Sequence, residues 1–223
     1  MRENGKSTVA TARNVSIVAG RVRLNGILTV PAGARGIVLF AHGSGSSRLS
    51  PRNQFVAGEL NATGIATLLF DLLTYEEEAI DIRTAEFRFD IALLAARLVQ
   101  ATDWVHSSEP TKNLKIGYFG SSTGAAAALV AASERRGLVC TVVSRGGRPD
   151  LAGPALKRVT CPVLFIVGGL DYEVIRINES ALAGLDVEKS MRIVSGATHL
   201  FEEEGKLEEV SMLACEWLSK HLV

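Results

Sequence analysis

The sequence predicts an α/β fold built on a mostly parallel sheet with helices on both faces. Short apolar runs recur along the chain, and segments with helical periodicity separate them. A strand covered on both faces reads as such a run, and its alternation with amphipathic helices is the pattern of βαβ units. The opening segment differs, alternating apolar and polar residues in the manner of half-buried antiparallel strands.

Residues 14–18 and 22–30 flank Gly20 and Arg21, which predicts a hairpin at one edge of the sheet. Apolar runs follow at residues 36–41, 65–70, 114–119, 138–143 and 163–167, with a weaker one at 191–194. Ile91, Leu94, Ala95 and Leu98 repeat at helical spacing, as do Val210, Leu213, Ala214 and Trp217. Glu202, Glu203 and Glu204 are expected to favour the start of that last helix. Residues 71–82 form an irregular acidic segment, expected to be a solvated loop or a helix start or, over 71–83, a short lid. No repeat or linker interrupts the chain, so one domain over residues 1–223 is expected.

Composition removes several function classes. Lys and Arg number 24 and Asp and Glu 24, so the net charge is zero and the basic excess of a nucleic-acid or polybasic membrane binder is absent. Hydrophobic residues make up 47%, enough for a large core, and no run approaches the roughly 20 apolar residues of a membrane span. The N-terminus has no apolar core of a signal peptide, and Cys140, Cys161 and Cys215 have neither C-x-x-C nor metal-ligand spacing. A cytoplasmic protein without a cysteine metal site is the expectation.

The chemistry is concentrated in residues 115–124, KIGYFGSSTG, followed by the helix former AAAALVAA. Gly120, Ser122 and Gly124 make G-x-S-x-G between an expected strand and helix, the context in which a turn lifts a serine hydroxyl above the sheet edge. Two rival readings exist: a serine that only caps the helix, and a dinucleotide-binding turn using Gly117, Gly120 and Gly124. The second is opposed by the mid-chain position and by the lack of a ribose-binding carboxylate some 20 residues on.

A serine needs a base, and the base needs an orienting acid. Asp171 follows the run at 163–167 and His199 follows the run at 191–194, so both emerge at the carboxyl edge where Ser122 is displayed. Asp71, Asp150 and Glu173 compete for the acid; His42, His106 and His221 are poorer bases by position. The loop HGSGSS after the strand at 36–41 can present a backbone N–H to the same point. Ser44, with Thr123, is the expected oxyanion pair, and Gly43 and Gly45 are near alternatives. Gly43 and Tyr75 are further candidates for substrate contact, and Glu76, Glu77 and Glu78 for the rim of the entrance.

These residues, with the stretches HGSGSSRLSPRNQ, DLLTYEEEAIDIR, GSSTGAAAAL and GATHLFEE, resemble the α/β-hydrolases, and within them the compact dienelactone-hydrolase-like family. The resemblance implies an eight-stranded, mostly parallel sheet without a large cap. It also implies a Ser/Cys-His-Asp mechanism on esters with no cofactor. Dienelactone hydrolases proper carry cysteine where this chain has Ser122, which points to a general serine esterase for short acyl chains. A nucleotide-binding oxidoreductase and a non-catalytic binding module of the same fold are the alternatives.

Overall fold

The structure is a computed structural model and describes residues 11–223. Eight strands form one sheet in the order β1-β2-β4-β3-β5-β6-β7-β8. These are β1 (Ala12–Ala19), β2 (Val22–Thr29), β3 (Gly36–Ala41), β4 (Ala66–Phe70), β5 (Lys115–Ser121), β6 (Val139–Arg145), β7 (Val163–Gly168) and β8 (Lys189–Val194). β2 runs antiparallel to both β1 and β4, and every other pairing is parallel. The hairpin turns at Gly20, whose φ of +62° is open to glycine at little cost.

The apolar runs are continuous because both faces of the central strands are covered. Along β3, Ile37, Leu39 and Ala41 join one core, while Val38 and Phe40 join the other. Helices α1 (Pro51–Ala62) and α6 (Lys206–Leu222) cover the second face through Val56, Leu60, Val210, Ala214 and Leu218. Helices α3 (Ile91–Ser107), α4 (Thr123–Glu134) and α5 (Tyr172–Gly184) cover the first through Leu94, Leu98, Ala126 to Leu129 and Ala181. Side chains alternating across a strand thus sort a single run into two cores.

Two expectations need correcting. The acidic segment is not irregular: Tyr75–Thr84 is helix α2. A capping box starts it, with the Glu77 carboxylate accepting from the Thr74 N–H at 2.8 Å and the Thr74 hydroxyl from the Glu77 N–H at 3.2 Å. Glu202, Glu203 and Glu204 do not start the last helix, which begins at Lys206 behind Gly205. Instead Glu202 pairs with Arg52 of α1 and Glu203 accepts from the Thr198 N–H at 3.1 Å, so both hold the loop before the helix. Helix α1 lacks a clear apolar stripe; Ser50 caps it, accepting from the Asn53 N–H, and Pro51 opens it.

Glycines along this frame carry opposite predictions. A Cβ on Gly36 would lie 2.6 Å from the Leu222 Cβ, where α6 crosses the sheet, whereas Gly58 faces open space on the exposed side of α1. Gly36→Ala should therefore destabilise by about 1–3 kcal/mol. Gly58→Ala should stabilise by about 0.5–1 kcal/mol through helix propensity. Urea unfolding midpoints moving in opposite directions would bear this out; equal shifts would not.

Candidate functional site

Ser122 sits at the junction of β5 and α4 with φ +51° and ψ −122°, a backbone conformation costing roughly 1–3 kcal/mol for a residue with a side chain. Neighbouring glycines make that turn possible. A Cβ on Gly120 would lie 2.5 Å from the Ala125 Cα, and one on Gly124 would lie 2.1 Å from the Ala41 carbonyl oxygen. The Ser122 side chain occupies the N-cap position of α4 but makes no capping hydrogen bond, so its hydroxyl is not spent on the helix. The free N–H groups of that helix's first turn favour negative charge at the same spot.

Asp171 and His199 meet across two turns at the carboxyl ends of β7 and β8. The imidazole Nδ1 lies 2.6 Å from the Asp171 Oδ2. Asp171 occupies the N-cap position of α5, yet its carboxylate makes no cap bond and goes to the imidazole instead. The two turns approach closely because Gly168 has no side chain: a Cβ there would lie 2.5 Å from the Thr198 carbonyl oxygen. The Leu170 N–H then donates to the Ala197 carbonyl at 2.9 Å. With Nδ1–H donated to the carboxylate, Nε2 keeps its lone pair and can take a proton.

The strand end at Arg145 and Gly146 joins these two parts. The Ser122 N–H donates to the Arg145 carbonyl at 3.2 Å, and a Cβ on Gly146 would touch the His199 ring at 3.4 Å. Serine and imidazole therefore flank the same peptide. Among the described residues no hydrogen bond joins the Ser122 hydroxyl to His199. Such bonds are often long before substrate is bound.

The loop after β3 completes the arrangement. A Cβ on Gly43 would lie 3.1 Å from both the Ser121 carbonyl oxygen and the Ser122 Cβ, so the loop packs directly on the elbow. The Ser44 hydroxyl is 3.0 Å from the Thr123 hydroxyl and 3.3 Å from the Arg88 carbonyl, which fixes the two expected N–H donors beside each other. Gly45 turns the loop at φ +66°, and the Ser46 N–H closes it onto the Gly43 carbonyl at 3.2 Å.

His42 has a part that its poor placement as a base did not reveal. Its Nε2 accepts from the Leu72 N–H at 3.0 Å, so Nδ1 carries the proton, 3.0 Å from the Gly43 carbonyl. Burial holds its pKa below the usual histidine value, against the opposing pull of the Gly43 carbonyl and Asp71. The neutral ring ties the loop to the exit of β4; protonating it would remove the acceptor for Leu72.

Beside this loop lies an open cleft of about 400 Å³ lined by Asn25, Arg48, Asp71, Thr74, Tyr75 and Glu78, among others. Tyr75 lies there, 83% exposed, and not against Ser122 or His199. Of the three consecutive glutamates only Glu78 lines the cleft, and Glu77 is held by Arg97 at 2.8 Å. Burial, together with Asp81 and Asp71, pushes the Glu78 carboxyl above its ordinary value despite Arg88. The arginines nearby are neutralised: Arg48 by Asp71, Arg88 by Asp81 at 2.7 Å, and Arg148 by Asp150 at 2.7 Å. The thiols take no part in this site. Burial pushes Cys161 up to about 12 and Cys215 up to about 11, so both stay protonated at neutral pH. Among the described residues no group of His, Cys, Asp and Glu has the arrangement of a metal site, and no helix is long and apolar enough to cross a membrane.

Comparison with known proteins agrees with this geometry. A crystal structure of dienelactone hydrolase from Anabaena variabilis is 57% identical, covering 96% of this chain and 99% of that one, with a TM-score of 0.95. Est1E from Butyrivibrio proteoclasticus, 15% identical with a TM-score of 0.78 over 93% of this chain and 98% of that one, shares the fold. Two curated Mycobacterium tuberculosis proteins, one from each of two strains and both described as "Putative phosphoribosyl transferase", are 55% identical over 208 residues, which is 93% of this chain. The chain spans about half the length of these curated relatives, 46%. The profile of the dienelactone hydrolase family matches residues 24–221, from β2 to the end of α6 and across every part of the site described above. With an eight-stranded α/β-hydrolase sheet and that match over most of its length, the chain belongs to the dienelactone hydrolase family.

Proposed function

We propose that the chain is a serine hydrolase that cleaves uncharged carboxylic esters of short acyl chain through an acyl-enzyme. The observation that carries this reading is the 2.6 Å contact of His199 with Asp171 beside a serine whose strained turn leaves its hydroxyl uncapped. Ser122 attacks the ester carbonyl while His199 takes its proton, and Asp171 stabilises the imidazolium that forms. The backbone N–H groups of Ser44 and Thr123 hold the developing oxyanion, an effect typically worth about 100- to 1000-fold in turnover per donor. His199 returns its proton to the leaving alcohol, then activates the water that releases the acid.

Two features support an uncharged substrate. The arginines around the loop are each satisfied by a carboxylate, and among the described residues Glu78 at the cleft makes no ion pair. Leu170, Tyr172 and Leu200, adjoining Asp171 and His199 in sequence, are exposed and give the rim an apolar character suited to an acyl group. The transferase named for the longer relatives we assign to the part of those chains that this one does not span.

Ser122→Ala should abolish hydrolysis of a short activated ester while the far-ultraviolet spectrum stays unchanged, and a fluorophosphonate should label Ser122 alone. Retained turnover, or label on another residue, would sink the serine reading; NAD(P) binding without label would favour an oxidoreductase. For two esters of one acyl length, the anionic one should be slower at low salt and gain as salt approaches the screening range of about 0.1–0.15 M. Equal rates at low salt would overturn the preference for uncharged substrates.

A further inference from the structure

Arg145, the last residue of β6, is a buried cation that the proposed chemistry does not use. It is 7% exposed, and no carboxylate among the described residues pairs with it. Its Nε donates to the Ser121 hydroxyl at 3.3 Å, and that hydroxyl donates onward to the Asn53 Oδ1 at 3.3 Å. The guanidinium lies 5.7 Å from the centre of the Phe201 ring. Ser121 precedes Ser122, and Phe201 stands two residues after His199. Burial, and then the neighbouring Arg52, lower its pKa to about 10, so it remains charged at neutral pH.

Removing a charge from water without a partner is costly, by several kcal/mol per ion even after relaxation. The carboxylates of this region have other partners: Glu202 has Arg52, Glu203 the Thr198 N–H, Asp171 His199 and Asp150 Arg148. What Arg145 does have is position. Its own carbonyl accepts from the Ser122 N–H, and a Cβ on the following Gly146 would meet the His199 ring at 3.4 Å. A fixed cation in a water-poor setting acts strongly on negative charge developing nearby, because no solvent must reorganise around it.

We propose that Arg145 is a positioning residue whose fixed charge, held under the elbow by Ser121 and Phe201, stabilises the anionic intermediate formed at Ser122. The proposal rests on the serine-hydrolase reading and adds to its oxyanion N–H groups a buried cation outside the triad. The phenyl face of Phe201, whose φ is +56°, covers the guanidinium and keeps its field from being screened.

The test compares Arg145→Gln with Arg145→Lys on a short neutral ester. Gln removes the charge and should lower kcat by about 10- to 100-fold with KM within about twofold, the signature of an interaction realised in the transition state. Lys keeps the charge on a shorter reach and should hold kcat within about threefold of the parent. Equal loss in both variants, or a loss confined to KM or to stability, overturns the proposal. Should Arg145→Gln fail to fold, Phe201→Leu carries the test. It leaves the cation in place but opens it to water, so kcat should fall with KM unchanged, and unchanged kcat overturns the proposal. Fluorophosphonate labelling of the parent separates the two ideas: without label on Ser122 the serine reading falls and takes this one with it. With label and an undiminished Arg145→Gln, only the role of Arg145 is lost.

Discussion

The turn from β5 into α4 is the constraint on which the rest of the site depends. Seating α4 against the end of β3 leaves no room for a single methyl group at Gly124, which would collide with the Ala41 carbonyl. That contact forces Ser122 into a positive φ and places the N-terminus of α4 against the HGSGSS loop. The loop can lie there only because Gly43 also has no side chain to push into Ser122. One close approach thus fixes a serine, a helix end and a loop of small residues together. The strain at Ser122 is offset by an α4 that is almost wholly buried and by a β5 paired on both edges.

Electrostatics around the turn is arranged in two tiers. At the rim Arg48 and Arg148 each meet a carboxylate; an exposed pair such as Arg148–Asp150 contributes about 0–1 kcal/mol and serves mainly to cancel local charge. The Arg88–Asp81 contact is different. Asp81 is fully buried, and it accepts from the Phe87 and Arg88 N–H groups at 2.8 and 2.9 Å as well as from the guanidinium. Burial alone would push that carboxyl up, but these bonds outweigh it and hold it below the ordinary value. Beneath the rim, Arg145 keeps its charge beside the Ser121 hydroxyl and the Phe201 ring, with no carboxylate partner among the described residues. A chain with zero net charge can therefore present a strongly polarised site, because the fields set by individual buried groups are local.

Where the physical signal was periodic, the sequence was enough. Val38 and Leu39 go to opposite cores, and a strand buried twice over can only read as an unbroken apolar run. The placement of the candidates Ser122, Asp171 and His199 at one sheet edge was also legible, since each follows a strand-like run and parallel strands deliver their ends to one edge. Helix α2 is left open between solvated loop and helix start by the sequence, because its amphipathic signal is weak and its acidic opening, Glu76 to Glu78, suits either. Its Thr74–Glu77 capping box was present but has little force without an apolar stripe. Arg145 was hidden for another reason. It shares the strand phase of Val143, whose side chain enters the α1 and α6 core, but a charge at the end of a run reads as the point where the chain leaves the sheet. His42 was weighed only as a base; that its second nitrogen meets Leu72 depends on a contact 30 residues away.

The secondary structure found for residues 75–84 also bears on how a substrate is admitted. A segment that closes over a site must be able to leave it, and the elements that do so come from the least stable parts of a fold. Helix α2 is fastened at both ends. Glu77, in its first turn, reaches Arg97 of α3, and Asp81, in its last, is buried under the turn at Phe87 and Arg88. Swinging the helix outward would expose Asp81 and leave Arg97 without its carboxylate; losing one partner of a buried pair costs about 3–5 kcal/mol. That is more than the binding of a small molecule such as the proposed ester would readily supply. Under the proposed function, selection among substrates would then fall to fixed features beside the site, Glu78 and the apolar rim among them, rather than to closure.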